Sequence, residues 1–95
     1  MIYIVTLERQ PMRSMLPFAD SFEKLSTYFW KAMTNVWLVD TELSAEDLAT
    51  QLRLHMNDHD RLLIVRLRPE YAGFLSAETR TWLRRQDREG AFGAV

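Results

Sequence analysis

The chain has no cysteine. That absence removes disulfides, thiolate nucleophiles and zinc–thiolate centres from consideration. Glycine is scarce, with only Gly73, Gly90 and Gly93. A glycine-rich phosphate cradle has no place here, and no G-x-S-x-G nucleophile turn occurs. No apolar run approaches the roughly 20 residues that a membrane span needs. Met1 to Leu7 is apolar, but it is short and has no basic region before it, so it does not read as a signal peptide. Membrane association is therefore not expected, and cytoplasmic residence is the simplest reading. Lysine is also scarce: ten of the twelve basic residues are arginine, whose planar guanidinium suits bidentate contacts with carboxylate or phosphate.

What remains is a single small domain. Ninety-five residues at 47% hydrophobic and 12% aromatic are too apolar for disorder. A chain of this size buries only about two-thirds of its unfolded surface and gains from a partner. The formal net charge is −1, but the sign is unevenly spread. Residues 1–60 hold five Lys/Arg against nine Asp/Glu, whereas residues 61–95 hold seven against four. A nucleic-acid-binding domain is usually more basic overall.

Residues 35–68 carry the clearest pattern, N-VWLVDTELSAEDLATQLRLHMNDHD-RLLIVRLR. Val36 to Thr41 reads as a strand. Ser44 is placed to cap a helix, with Asp47 in the capping-box position and Leu43 and Leu48 set for a hydrophobic staple. Leu48, Leu52, His55 and Met56 continue its apolar stripe. Residues 57–60 form a polar turn, and Leu62 to Leu67 is the next strand. Leu63, Val65 and Leu67 share one face of it. Leu62 and Ile64 share the other with Arg66 and Arg68, and that half-polar face is expected to be the partly solvated one.

The N-terminal half supplies the missing partners. Met1 to Leu7 alternates as a strand, and residues 8–13 form a loop around Pro11. Ser14 is placed to cap a helix with Met15, Phe18, Phe22 and Leu25 on one stripe and Pro17 in its first turn. Thr27 to Met33 is an aromatic strand. Thr34-Asn35 turns it into Val36, with Asn suited to a positive φ.

The order βαββαβ, with two right-handed crossovers, predicts a ferredoxin-like α+β fold: a four-stranded antiparallel sheet with two helices on one face. Ser76 caps an extra C-terminal helix through about Gln86. Residues 1–86 are thus expected as one domain, with 87–95 a loose or partner-docked tail.

Candidate chemistry is thin. His55, Asp58, His59 and Asp60 are the only His/Asp cluster. H-x-x-x-H puts two ligands on one helix face only if the helix reaches residue 59. Asn57 and Asp58 argue that it has ended, so His55 is expected at the edge of the core. Asp58 and Asp60 fit turn-forming roles. Asp40, with Thr41 and Glu42, ends a strand and offers a carboxylate pair with Glu8 if the two strand ends adjoin. Tyr28, Phe29, Trp30 and Trp37 make an aromatic hairpin, read as core first, protein interface second and base stacking third.

A strand ending near residue 8, the aromatic second strand, VWLVDT-LSAEDL and an acidic turn opening into RLLIVRL resemble the small SinR-like proteins. That family is related to the small CRISPR-associated subunit of spacer acquisition and, more distantly, to virulence-associated protein D. The likeness covers residues 2–68, best over 28–67, with Trp37, Thr41, Ser44 and Asp60 at matching positions. It implies a ferredoxin-like protomer that dimerises. Some relatives are metal-dependent nucleases with an Asp just after strand one. Glu8 stands there instead, one methylene longer, and Arg9 beside it is a ready partner.

The resulting expectation is a non-catalytic association module, a homodimer or a binder of another protein, in a defence, toxin–antitoxin or mobile-element setting. Tyr28, Trp30, Arg66, Arg68 and Trp82 are the candidate interface residues. No cofactor is expected. The alternatives are a nuclease using Mg or Mn at Glu8, with Asp40 as a further weak ligand, and nucleic-acid binding through Arg66, Arg68, Arg80, Arg84 and Arg85.

Overall fold

In the computed structural model, residues 1–9 and 16–92 are described, with side chains for 1–9 and 20–92. Strands β1 (Ile2–Glu8), β2 (Tyr28–Met33), β3 (Val36–Asp40) and β4 (Arg61–Arg66) form one antiparallel sheet in the order β2-β3-β1-β4. Helices α1 (Leu16–Leu25), α2 (Ala45–Arg53) and α3 (Ala77–Arg88) accompany it. The result is a small α+β fold with an open four-stranded sheet and three helices, consistent with the ferredoxin-like expectation. Ser14 and Met15 lie outside the described residues, as does the Phe18 side chain.

The helix starts follow from local chemistry. Ser44 adopts an extended conformation and its Oγ accepts from the Asp47 N–H at 3.1 Å. Ser76 does the same for Thr79 at 3.2 Å. Each satisfies an N–H that the helix itself cannot. Thr41, which is buried, joins β3 to the end of α1: its Oγ1 donates to the Leu25 carbonyl at 2.6 Å and accepts from the Leu43 N–H at 3.2 Å.

The two faces of the sheet bury two separate cores. Tyr3, Val5, Leu7, Trp37 and Val39 meet Phe22 of α1 and Leu48 and Leu52 of α2 on one face. Trp37 is 2% exposed, and its ring centroid lies 5.8 Å from that of Phe22. On the other face Ile2, Leu38 and Leu67 meet Trp82 and Leu83 of α3, together with Phe92. The C-terminal helix is thus the lid of a second core, which alternation in β1 and β3 makes possible because both strands are apolar on both faces.

Three expectations change. The chain beyond residue 86 is not loose as far as Phe92: the helix runs to Arg88, Gly90 turns with φ 78°, and Phe92 packs into the second core. Residues 93–95 lie outside the described set. Among the described residues, Gly90 alone has a positive φ, so the Thr34-Asn35 turn does not use one. A register shift between Lys31 and Met33 accompanies that turn, and such bulges add the twist a hairpin needs.

The third change concerns β4. Its half-polar face is the buried one: Leu62 and Ile64 pack against the α1/α2 core. Leu63 is 61% exposed and Val65 48%. The cause is register. Val5 pairs with Ile64 and Leu7 with Leu62, and both partners face the helices. Arg66 shares that face by register with Tyr3, but it stays exposed at the end of the strand.

Candidate functional site

Helix α3 covers the part of its face that holds Ile2, Ile4, Leu38, Trp30 and Ala32. Beyond it, toward the start of β4, the same face presents Thr6, Val36, Leu63 and Val65. These residues alternate correctly along three adjacent strands, with Thr6 opposite both Val36 and Leu63 and Ile4 opposite Val65. Thr6, Val36 and Ile4 are half-buried, and the two β4 side chains are exposed. At its end this area opens into a shallow groove of about 360 Å³ bordered by Glu8, Asn35, Arg61 and Leu62. Exposed Leu and Val on a sheet face have no structural return within the chain, and contiguous patches of this kind mark contact surfaces.

The backbone of β4 adds to this surface. Among the described residues it is an edge strand, paired only with β1. The Leu67 N–H donates to the Ile2 carbonyl at 2.8 Å. Antiparallel ladders alternate, so in register Val65, Leu63 and Arg61 also turn their backbone groups toward β1. The N–H and C=O groups of Leu62, Ile64 and Arg66 therefore point away from the sheet.

The start of β4 is held by a buried ion pair that sequence reading missed. Arg9 follows β1, and its Nε lies 3.3 Å from Asp60 Oδ2, with the two side chains 5% and 0% exposed. Arg9 Nη2 donates to the His55 carbonyl at 2.8 Å, and the Asn57 N–H donates to Asp60 Oδ2 at 2.9 Å. One guanidinium thus ties the end of β1 to the whole turn between α2 and β4. Burying two charges is tolerable only with such extra hydrogen bonds.

The candidate catalytic residues are not brought together. Glu8 is exposed, and its nearest cation is Arg61, at 3.8 Å, rather than Arg9. Asp40 is opposite Ile2, at the other end of β1 from Glu8. Six residues of strand separate those positions, about 20 Å at strand rise, so the proposed carboxylate pair does not exist. Asp40 instead lies 3.4 Å from the Met1 ammonium. Glu42 is exposed.

The His/Asp cluster also disperses. Helix α2 ends at Arg53, and His55 and His59 are both exposed, so His55 is not at the core edge. Asp58 is exposed near Arg53 at 3.7 Å, while Asp60 is buried on Arg9. Among the described residues no three His, Asp or Glu side chains converge as metal ligands.

The interface candidates divide. Tyr28, Arg66 and Arg68 are exposed. Trp30 is half-buried and donates from Nε1 to Thr79 Oγ1 at 3.0 Å, and Trp82, a residue of α3, is buried. Trp82 spends its surface within the chain, and Trp30 spends part of its own. Of the arginines, Arg66 lies on the α1/α2 face, whereas Arg80, Arg84 and Arg85 belong to α3 on the opposite face.

No helix among the described residues is long and apolar enough to cross a membrane. Comparison with family models, curated proteins and solved structures finds no match to this chain.

Proposed function

We propose that this chain is a ferredoxin-like association module of the SinR-like kind, acting through β4 and the uncovered sheet face beside it. The supporting observation is the exposure of Leu63 and Val65 on an edge strand, next to half-buried Ile4, Thr6 and Val36. Burying a Leu or Val side chain is worth roughly 1.5–3 kcal/mol, and a domain this small has few other ways to gain it. The first expected partner is a second copy of the chain, in keeping with the resemblance. Binding of a different protein is the other form of the same reading.

Light scattering on a size-exclusion column tests it. The expected mass at high micromolar concentration is twice the 11.2 kDa of the chain. A strictly monomeric mass there removes self-association from the reading.

A further inference from the structure

We propose that two copies of this chain join β4 to β4, antiparallel, into one continuous sheet with the two-fold axis at Ile64. The proposal deepens the association reading and rests on it. It names the seam, the register and the contacts.

The first argument is the phase of the free hydrogen-bonding groups. Leu62, Ile64 and Arg66 turn their backbone N–H and C=O outward, as derived from the β1 ladder. Antiparallel pairing requires outward residues to meet outward residues. With the axis at Ile64, Leu62 meets Arg66 of the second copy and Ile64 meets Ile64, and each pair exchanges two bonds. All three outward residues of each copy are then satisfied.

Neighbouring registers do worse. With the axis at Leu63, Arg66 falls opposite Asp60, whose N–H already donates to the Asn57 carbonyl at 3.1 Å. With the axis at Val65, Leu62 falls opposite Arg68, beyond the end of the strand.

The second argument is side-chain matching. In the Ile64 register Leu63 stands directly opposite Val65 of the second copy, and the reverse pair repeats across the axis. These are the two exposed apolar side chains of the strand, and directly opposed apolar pairs are the stabilising unit of a sheet. Arg66 faces Leu62, and Arg61 faces Leu67, so no arginine is set against an arginine. An isologous contact must be complementary to itself in this way.

The third argument is the light guarding of this edge. Native edges are blunted by charged side chains, proline or a bulge. β4 carries charge only at its two ends, Arg61 and Arg66, has no proline, and keeps a regular register with β1 from Arg61 to Arg66.

The lack of cysteine in the chain makes a direct test clean. Single variants Ile64→Cys, Leu63→Cys and Val65→Cys are oxidised mildly and read on a non-reducing gel. A residue facing its own copy in a hydrogen-bonded pair has Cα atoms about 5.5 Å apart, within disulfide range. A residue displaced by two positions is about 7–8 Å away, outside it.

The expected result is covalent dimer from Ile64→Cys alone, at least about tenfold above Leu63→Cys alone or Val65→Cys alone. Ile64 contributes to the core, so a second, surface pair guards against misfolding. A mixture of the Leu63→Cys and Val65→Cys proteins is expected to cross-link where neither does alone. Efficient self-cross-linking of Leu63→Cys overturns the register. A dimeric wild-type mass with no cross-link in any of these samples overturns edge pairing and leaves the association reading standing. A monomeric wild type overturns edge pairing and self-association together.

Discussion

The two edges of this sheet are built in opposite ways. At β2, register breaks between Lys31 and Met33, and Lys31 holds its ammonium 5.6 Å from the centre of the Trp37 ring. Trp30, on the other face of β2, is tied to α3 through Thr79. At β4 the ladder is regular, and its apolar side chains Leu63 and Val65 are exposed. The difference teaches that one edge has been closed against pairing and the other left open, on a sheet short enough that both could have been treated alike.

Breaking the support of the closed side is expected to cost most. Trp37→Ala removes the largest fully buried side chain, along with the ring beneath Lys31. It should destabilise the fold by roughly 3–5 kcal/mol through lost transfer energy and a cavity. Chemical denaturation checks this. A loss below about 1 kcal/mol would mean that the core around β3 repacks freely.

On the open side the corresponding support is Asp60. Asp60→Ala leaves Arg9 buried without its carboxylate and is expected to cost about 3 kcal/mol. Amide hydrogen exchange sharpens the comparison. Protection should fall first along β4 and the preceding turn, while β2 and β3 keep theirs. Uniform loss across all four strands would show that the ion pair does not act locally.

A smaller change should separate association from stability. Leu63→Ser alters an exposed side chain, so the monomer's own stability should move by about 0.5 kcal/mol or less. Dimerisation should weaken by roughly 1.5–3 kcal/mol, read as a shift in the concentration dependence of the scattering mass. An unchanged dimer would take the contact away from β4. The smallest effect is expected from Glu8→Ala, where an exposed side chain loses a 3.8 Å contact with Arg61. Stability should hold within about 0.5 kcal/mol, and RNA or DNA incubated with the wild type and Mg or Mn should stay intact. Metal-dependent cleavage abolished by Glu8→Ala in a folded protein would restore the nuclease alternative.

Much of the fold is legible in the chain because it is written in short-range chemistry. Ser44 and Ser76 cap helices for reasons visible within four residues, and the hairpin around Thr34-Asn35 needs only its own neighbours. The orientation of β4 is different. RLLIVR is apolar on both faces, so period-two reading cannot choose between them, and the choice falls to the register with β1. The Arg9–Asp60 pair joins residues 51 apart, and nothing near either residue announces the other. The separation of Glu8 from Asp40 likewise follows only from the antiparallel register of β1 with β3. The same ambiguity hid the open surface, since Leu63 and Val65 look like core residues until their neighbours are known.

The central position of β1 also sets an order of events during synthesis. The strand made first pairs on one side with residues 36–40 and on the other with residues 61–66. Only the β2–β3 hairpin can close locally; β1 must wait for partners far down the chain, and closing such loops is slow. A nascent chain halted in the turn after α2 would hold β1 with one flank bare, showing the Ile2-to-Leu7 run as a sticky edge. Emergence of β4 ends that exposure by moving the free edge outward by one strand. Growth of the chain thus transfers its stickiness from a strand that must be hidden to the outermost strand, the one proposed to meet a second copy.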